Sequence, residues 1–272
     1  MNAHIKRILV ALDASAHSHA ALEAAAAMAA RLDAELLGLF VQDMELVQLA
    51  QFPFAREVGL TSAGSRALDP RSMELALKVQ AQKAKTAFEA TAQRHGLQCS
   101  FRIARGQVVA ELLAASADVD LLALGTSGHM EIAGRRLGST VRGIVASASC
   151  SVLIEQRAKR PGTALLLLYE DSPAADRALA RAEQIAAARG GDLVIVLTGD
   201  ASTLPRLRER VDRTRRSDVR VQILALEDGA TALRALVARY NCGLLMIAHD
   251  SPLLAREPEL LGELRYPILL AR

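Results

Sequence analysis

The sequence predicts an α/β fold: two tandem units, each a five-stranded parallel sheet covered by helices on both faces. Three observations predict it. Short, wholly apolar runs alternate with alanine-rich segments of helical period, the pattern of strands buried between two helical layers. The whole pattern is written twice. The 272 residues, 51% of them hydrophobic, suffice for one large domain or two ordinary ones. With 3% aromatics and no Trp, the core is built from Ala, Leu, Val and Ile.

The first copy opens with Ile8-Leu9-Val10-Ala11-Leu12-Asp13-Ala14-Ser15 and the second with Leu165-Leu166-Leu167-Leu168-Tyr169-Glu170-Asp171-Ser172. Each continues into an alanine-rich helix, near residues 16–32 and 173–189, and then a second strand, 35–41 and 192–197. Alternation predicts a third strand at 98–104, matched at 219–225. A helix at 108–115 is matched at 232–238, and the apolar run 121–124 at 244–247. The closing strands are Ser151–Glu155 and Pro267–Ala271. Charges followed by Pro161-Gly162 mark an exposed connection, which divides the chain into units 1–156 and 163–272. The first unit carries an extra segment at about 43–69, rich in Pro and Gly. It is expected as a loop with one helical turn, able to lie over the ligand crevice.

Right-handed crossovers place the C-terminal ends of parallel strands on one edge, where ligands bind. Asp13, Val41 and Gly125 all fall at or just past such ends. Gly125-Thr126-Ser127-Gly128 follows the buried strand 120–124, and Gly138-Ser139-Thr140 precedes the helix predicted at 141–146. A strand, a glycine-rich loop and a helix start make a phosphate cradle: glycine lets the backbone approach, and unpaired N–H groups and the helix dipole favour an anion.

The duplicated unit, with Asp after the first strand and G-x2-G-x9-G-[ST] after the fourth, resembles the universal stress protein family, as a tandem two-domain member. That family has a Rossmann-like fold of the adenine nucleotide alpha hydrolase type. The resemblance implies ATP binding in the first unit, with Mg2+ accompanying the phosphates and no metal ligand among the side chains. It places Ala11, Leu12 and Asp13 near the ribose and adenine, and Val41 beside the adenine. Gly125, Ser127 and Gly128 then approach ribose and phosphates, and Gly138, Ser139, Thr140 and Val141 present N–H groups and hydroxyls to the phosphates. Ala11 stands where the family's nucleotide binders commonly have proline. The resemblance further implies a regulatory stress-response role with an unidentified protein partner. The closing strands, as edges, are expected to pair and make the two units an intramolecular pseudo-dimer; a homodimer is an alternative.

The second unit departs from the motif. Ala248 stands for Gly125 and Ser251 for Gly128, and the connection from there to the closing strand is seven residues shorter: 26 positions (125 to 151) against 19 (248 to 267). Pro252, Pro258 and three glutamates fall in it. This unit is expected not to bind ATP, but to be structural or to serve a partner.

Other functions lack their signatures. A formal charge of +3 and scarce aromatic rings give no case for nucleic acid. The basic run 206–216 is interspersed with acids, as on a solvated helix face. Three scattered cysteines, Cys99, Cys150 and Cys242, form no CxxC pair and are expected as small hydrophobes. No apolar run is long enough to span a membrane, and no signal peptide is read at the start, so a cytoplasmic location is the expectation. There is no Walker A and no GxGxxG. His17 and His19 lie on different helix faces, and His249-Asp250-Ser251 is expected as a turn. No catalytic residue is assigned; the alternatives are a nucleotide-independent interaction module and a slow ATPase.

Overall fold

The computed structural model describes residues 4–52, 56–58, 65–67, 69–126, 137–156, 162, 164–215, 219–226 and 229–272. In chain order the elements are β1 (Arg7–Leu12), α1 (Ala16–Leu32), β2 (Glu35–Asp43), α2 (Met44–Leu49), β3 (Arg56–Val58), β4 (Ser65–Ala67), α3 (Pro70–Arg94), β5 (Cys99–Gly106), α4 (Val108–Ser116), β6 (Leu121–Gly125), α5 (Ser139–Ser147) and β7 (Ser151–Glu155). They continue with β8 (Ala164–Tyr169), α6 (Ala175–Arg189), β9 (Leu193–Thr198), α7 (Thr203–Thr214), β10 (Val221–Leu226), α8 (Ala230–Arg239), β11 (Cys242–Ala248), α9 (Pro252–Arg256), α10 (Leu260–Glu263) and β12 (Ile268–Ala271).

Ten strands form one sheet in the order β10-β9-β8-β11-β12-β7-β6-β1-β2-β5. Each half is parallel throughout, and the two meet where β7 and β12 pair antiparallel, with Ile154, Leu153 and Val152 opposite Ile268, Leu269 and Leu270. The expected pairing of closing strands is therefore present within one chain. All six residues are buried, so neither strand is an open edge. Gln156 adds a buried bond across the seam, its side-chain amide donating to the carbonyl of Leu261 at 2.8 Å.

Side chains alternate along the strands into two cores. One packs α1, α3, α6 and α7 on one face, and the other packs α4, α5, α8, α9 and α10 on the opposite face. Small residues set the close approach of α1, where Ala21, Ala25, Ala26 and Ala29 are buried. Ser15 caps α1 by accepting from the Ser18 N–H.

The segment after β2 departs from a plain loop. Asp43 caps α2 at once, and β3 and β4 form a short antiparallel pair; residues 53–55, 59–64 and 68 lie outside the described residues. A 25-residue helix, α3, follows with Pro70 in its first turn, where sequence patterning assigned no element. Its buried stripe is Leu77, Ala81, Ala84, Phe88, Thr91 and Ala92, mostly small or polar, so its hydrophobic period is weak. Cys150 and Cys242 are buried as expected, but Cys99 is exposed, because β5 is an outer strand paired only with β2.

Candidate functional site

In the first half the chain leaves β1 toward β2 on one side, while β6 flanks β1 on the other. A crevice opens at such a switch point, beyond the carboxyl ends of the strands. Here the strands part early. β1–β6 pairing ends at Val10–Ala123, although β1 runs on to Leu12 and β6 to Gly125. Continuing that register sets Gly125 level with Leu12, and the β1–β2 register sets Val41 level with Asp13. Three of the residues singled out in the sequence thus stand along one edge of three adjacent strands.

Each is positioned by its neighbours. The Asp13 carboxylate accepts from the Ser15 N–H at 2.9 Å, folding the turn in which Ala14 takes a left-handed φ of 60°. Ala11 and Val41 are half-buried against the core beneath α4 and α5, whereas Leu12 is turned to the α1 core. At Gly125 a methyl group would lie 2.7 Å from the carbonyl carbon of His17, so glycine is required for the start of α1 to cross the strand end.

The loop leaving β6 is tied at its base, where the Gly138 N–H donates to the carbonyl of Thr126 at 3.3 Å. Ser127 and Gly128 lie outside the described residues. Gly138 is the N-cap of α5 and no side chain among the described residues caps this helix; its first backbone bond is Arg142 N–H to Gly138 carbonyl, 3.1 Å. The preceding N–H groups, on Ser139, Thr140 and Val141, face outward from the helix start. A methyl group at Gly138 would meet only the Thr126 oxygen at 3.5 Å, an ordinary contact, so described atoms leave room for a side chain at this N-cap.

One residue at this edge escaped sequence reasoning. Glu155 ends β7 in register with Gly125. Burial pushes its carboxyl up from the ordinary 4.5 to about 7. As the last residue of an apolar strand it carried no pattern of its own.

The equivalent place in the second half is closed. β8–β11 pairing continues to Leu168–Ile247, nearly to the strand ends. Beyond them Glu170, 4% exposed, accepts hydrogen bonds from the Ser251 hydroxyl and from the Leu253 N–H, the latter at 3.0 Å. Ser251 in turn caps α9. His249 and Asp250 form a turn, as expected, and Asp250 accepts from the Ala174 N–H at 3.1 Å. The basic helix α7 is not wholly a solvated face: Arg210 reaches inward, donating to both carboxylate oxygens of Asp176 and lying 5.9 Å from the Tyr169 ring centre. The Tyr169 hydroxyl donates to the same Asp176 at 2.5 Å. Side chains of the half itself fill its crevice.

Among the described residues no group of His, Cys, Asp and Glu is arranged to hold a metal ion. No described helix is long and apolar enough to cross a membrane.

Comparison with known proteins agrees with this architecture. A universal stress protein of Archaeoglobus fulgidus is 18% identical, with a TM-score of 0.73 over 100% of this chain and 98% of that one. A functionally unknown protein of Pseudomonas aeruginosa is 16% identical, TM-score 0.64, over 99% and 93%. The cytoplasmic domain of a prokaryotic cation chloride cotransporter is 14% identical, TM-score 0.55, over 98% and 95%. These likenesses are of fold, which different functions share. No curated protein matches the chain. The model of the universal stress protein family matches residues 4–155, which contain the whole first-half crevice, and on that match this chain belongs to the universal stress protein family.

Proposed function

We propose that the chain is an ATP-binding regulatory protein with one nucleotide site, in a first domain of residues 1–156, and a second domain of 163–272 that is structural or serves a partner. The observation that carries this reading is the contrast between two equivalent strand ends. At one, β1 and β6 part and a helix start capped by no described side chain follows. At the other, a buried glutamate already occupies the space.

The residues present fit an adenine nucleotide. Ala11 and Val41 offer an apolar wall for the base, and the Asp13 carboxylate an acceptor for ribose hydroxyls. The backbone N–H groups of Gly138, Ser139, Thr140 and Val141, with the hydroxyls of Ser139 and Thr140, would hold the phosphates together with Gly125, Ser127 and Gly128. Amides and hydroxyls bind a phosphate without a fixed cation. With no carboxylate cluster among the described residues to hold it, Mg2+ would ride on the phosphates. No positioned general base is assigned, and the role is binding rather than turnover.

Calorimetry with ATP and Mg2+ tests the reading; one site per chain is expected. Ser139 is exposed in the first turn of α5. Ser139→Asp places a negative charge against the phosphates, and ATP affinity should fall by about tenfold or more. The same charge suits a helix start, so thermal stability should hold or rise slightly. Absence of binding at millimolar ATP, or unchanged affinity in the variant, would overturn the site.

A further inference from the structure

A second cavity lies away from the nucleotide crevice. It opens at the seam between the halves, between the outer face of α5 and the α9–α10 segment, with a volume of about 510 Å³. That is the size of a small-molecule site. Because β12 runs antiparallel to β7, the residues following β11 and β12 stand at the sheet edge opposite the crevice. The helix α5 lies between the two: Ser139, Thr140 and Val141 belong to the proposed crevice, while Leu137, Arg142, Val145 and Ala146 line the cavity.

The lining is apolar below and charged around. Leu261 and Leu270 are buried beneath it, and Leu254 and Val145 form walls. Two cations, Arg142 and Arg272, line it. The Arg272 guanidinium is fixed by donating to the Val145 carbonyl at 3.0 Å, while Arg142 meets no acceptor among the described residues. Two anions, Asp250 and Glu259, line it as well. One Asp250 oxygen accepts from the Ala174 N–H; the other is buried and has no donor among the described residues. A buried acceptor left unpaired is satisfied by a water or by a ligand's donor. The seam itself is fully paired at β7–β12, so the cavity is not a place where strand pairing is incomplete.

We propose that this cavity is a binding site for a small zwitterion with an apolar body, the chemistry of a hydrophobic dipeptide with free termini. Its carboxylate meets Arg142 and Arg272, its ammonium donates to Asp250 and Glu259, and its side chains lie on Leu254, Leu261 and Leu270. Two cations and two anions in one lining select a ligand of no net charge, since a simple carboxylate would leave the acidic groups unpaired. The volume exceeds one amino acid and accommodates two. The site does not rest on the ATP reading: none of the residues assigned to the nucleotide lines it, although Leu137 and Arg142 flank the first residues of α5.

Titration of the full chain, without nucleotide, with leucyl-leucine tests the proposal by calorimetry. N-acetyl-leucyl-leucine, leucyl-leucine amide and octanoate serve as controls. Leucyl-leucine should bind, and blocking either terminus should weaken binding by about tenfold. Arg142 is exposed on its helix, so Arg142→Glu should leave melting unchanged and weaken leucyl-leucine by a similar factor; Asp250→Asn should do so through the ammonium. Prior saturation with ATP should leave the dipeptide stoichiometry unchanged. The proposal fails if leucyl-leucine gives no heat at millimolar concentration, if the blocked peptides or octanoate bind as tightly, if neither substitution weakens binding, or if ATP displaces the dipeptide.

Discussion

Glu155 is where a single residue has the most to say about solution behaviour. Its carboxyl is pushed to about 7 by burial, against an ordinary 4.5. Between those two values the folded chain holds a proton that the unfolded chain has released. Stability therefore falls as pH rises from about 4.5 to about 7, and this contribution is constant above. Glu155→Gln should abolish it, so that the difference in unfolding free energy between variant and wild type grows by about 2–3 kcal/mol across that window. Chemical denaturation at a series of pH values checks this, and a pH-independent difference would refute it. The residue also faces Gly125 across the β6–β7 pair. Ionised, it places a negative charge beside the proposed phosphate cradle, so ATP affinity in the wild type should decline through pH 7 and that of Glu155→Gln should not. Gly125 next to it could be picked out from sequence, because glycine at a strand end before a helix start signals close approach. Its reason was not legible, since the atom it avoids belongs to His17, more than a hundred residues earlier.

At the scale of elements, α5 and α9 follow equivalent strands and have become different objects. The first starts on a glycine and is capped by no described side chain, the second on Ser251, whose hydroxyl donates to Glu170 while its oxygen accepts from the Leu254 N–H. Glu170→Ala leaves that hydroxyl and the Leu253 N–H without their acceptor in a buried place. The cost should be about 2–3 kcal/mol, with amide exchange in α9 accelerated first; Glu170→Gln should recover part of it. Unchanged stability in Glu170→Ala would show that the carboxylate does not hold the element. The closed second crevice was legible in outline: seven missing residues and two prolines announced that the loop was gone. What replaced it was not, because Glu170 reads as one polar residue after an apolar strand. The same limit hid α3, whose buried face sets three alanines and Thr91 beside Leu77 and Phe88, while Leu75 and Val79 are exposed. Strands β1, β6 and β8 were legible to within about a residue, since both their faces are buried and, Arg7 at the start of β1 apart, their positions are apolar; β11 begins two residues before the apolar run 244–247.

At the scale of the molecule, the antiparallel seam decides whether the two halves fold as one. Each half ends its sheet on a strand, β7 or β12, whose backbone groups find their second partner only in the other half. Leu153 and Leu269 face each other there, 1% and 0% exposed, and both belong to the core that continues across the seam under α1 and α6. Neither half can keep its outermost strand buried alone, so unfolding should be a single cooperative transition rather than two. Leu269→Ala removes buried apolar volume from the junction and should cost about 2–5 kcal/mol. The penalty should appear equally in both halves: slowly exchanging amides in β1 and β8, each one or two strands removed from the seam, should lose the same protection. Calorimetry together with residue-resolved hydrogen exchange separates the cases. A second thermal transition in the variant, or protection lost in β8 and retained in β1, would mean that the halves are independent domains merely placed side by side. A common loss would mean that ligand bound at one edge of the sheet stabilises the whole chain, which is the physical condition for a nucleotide in the first half to be sensed by a surface on the second.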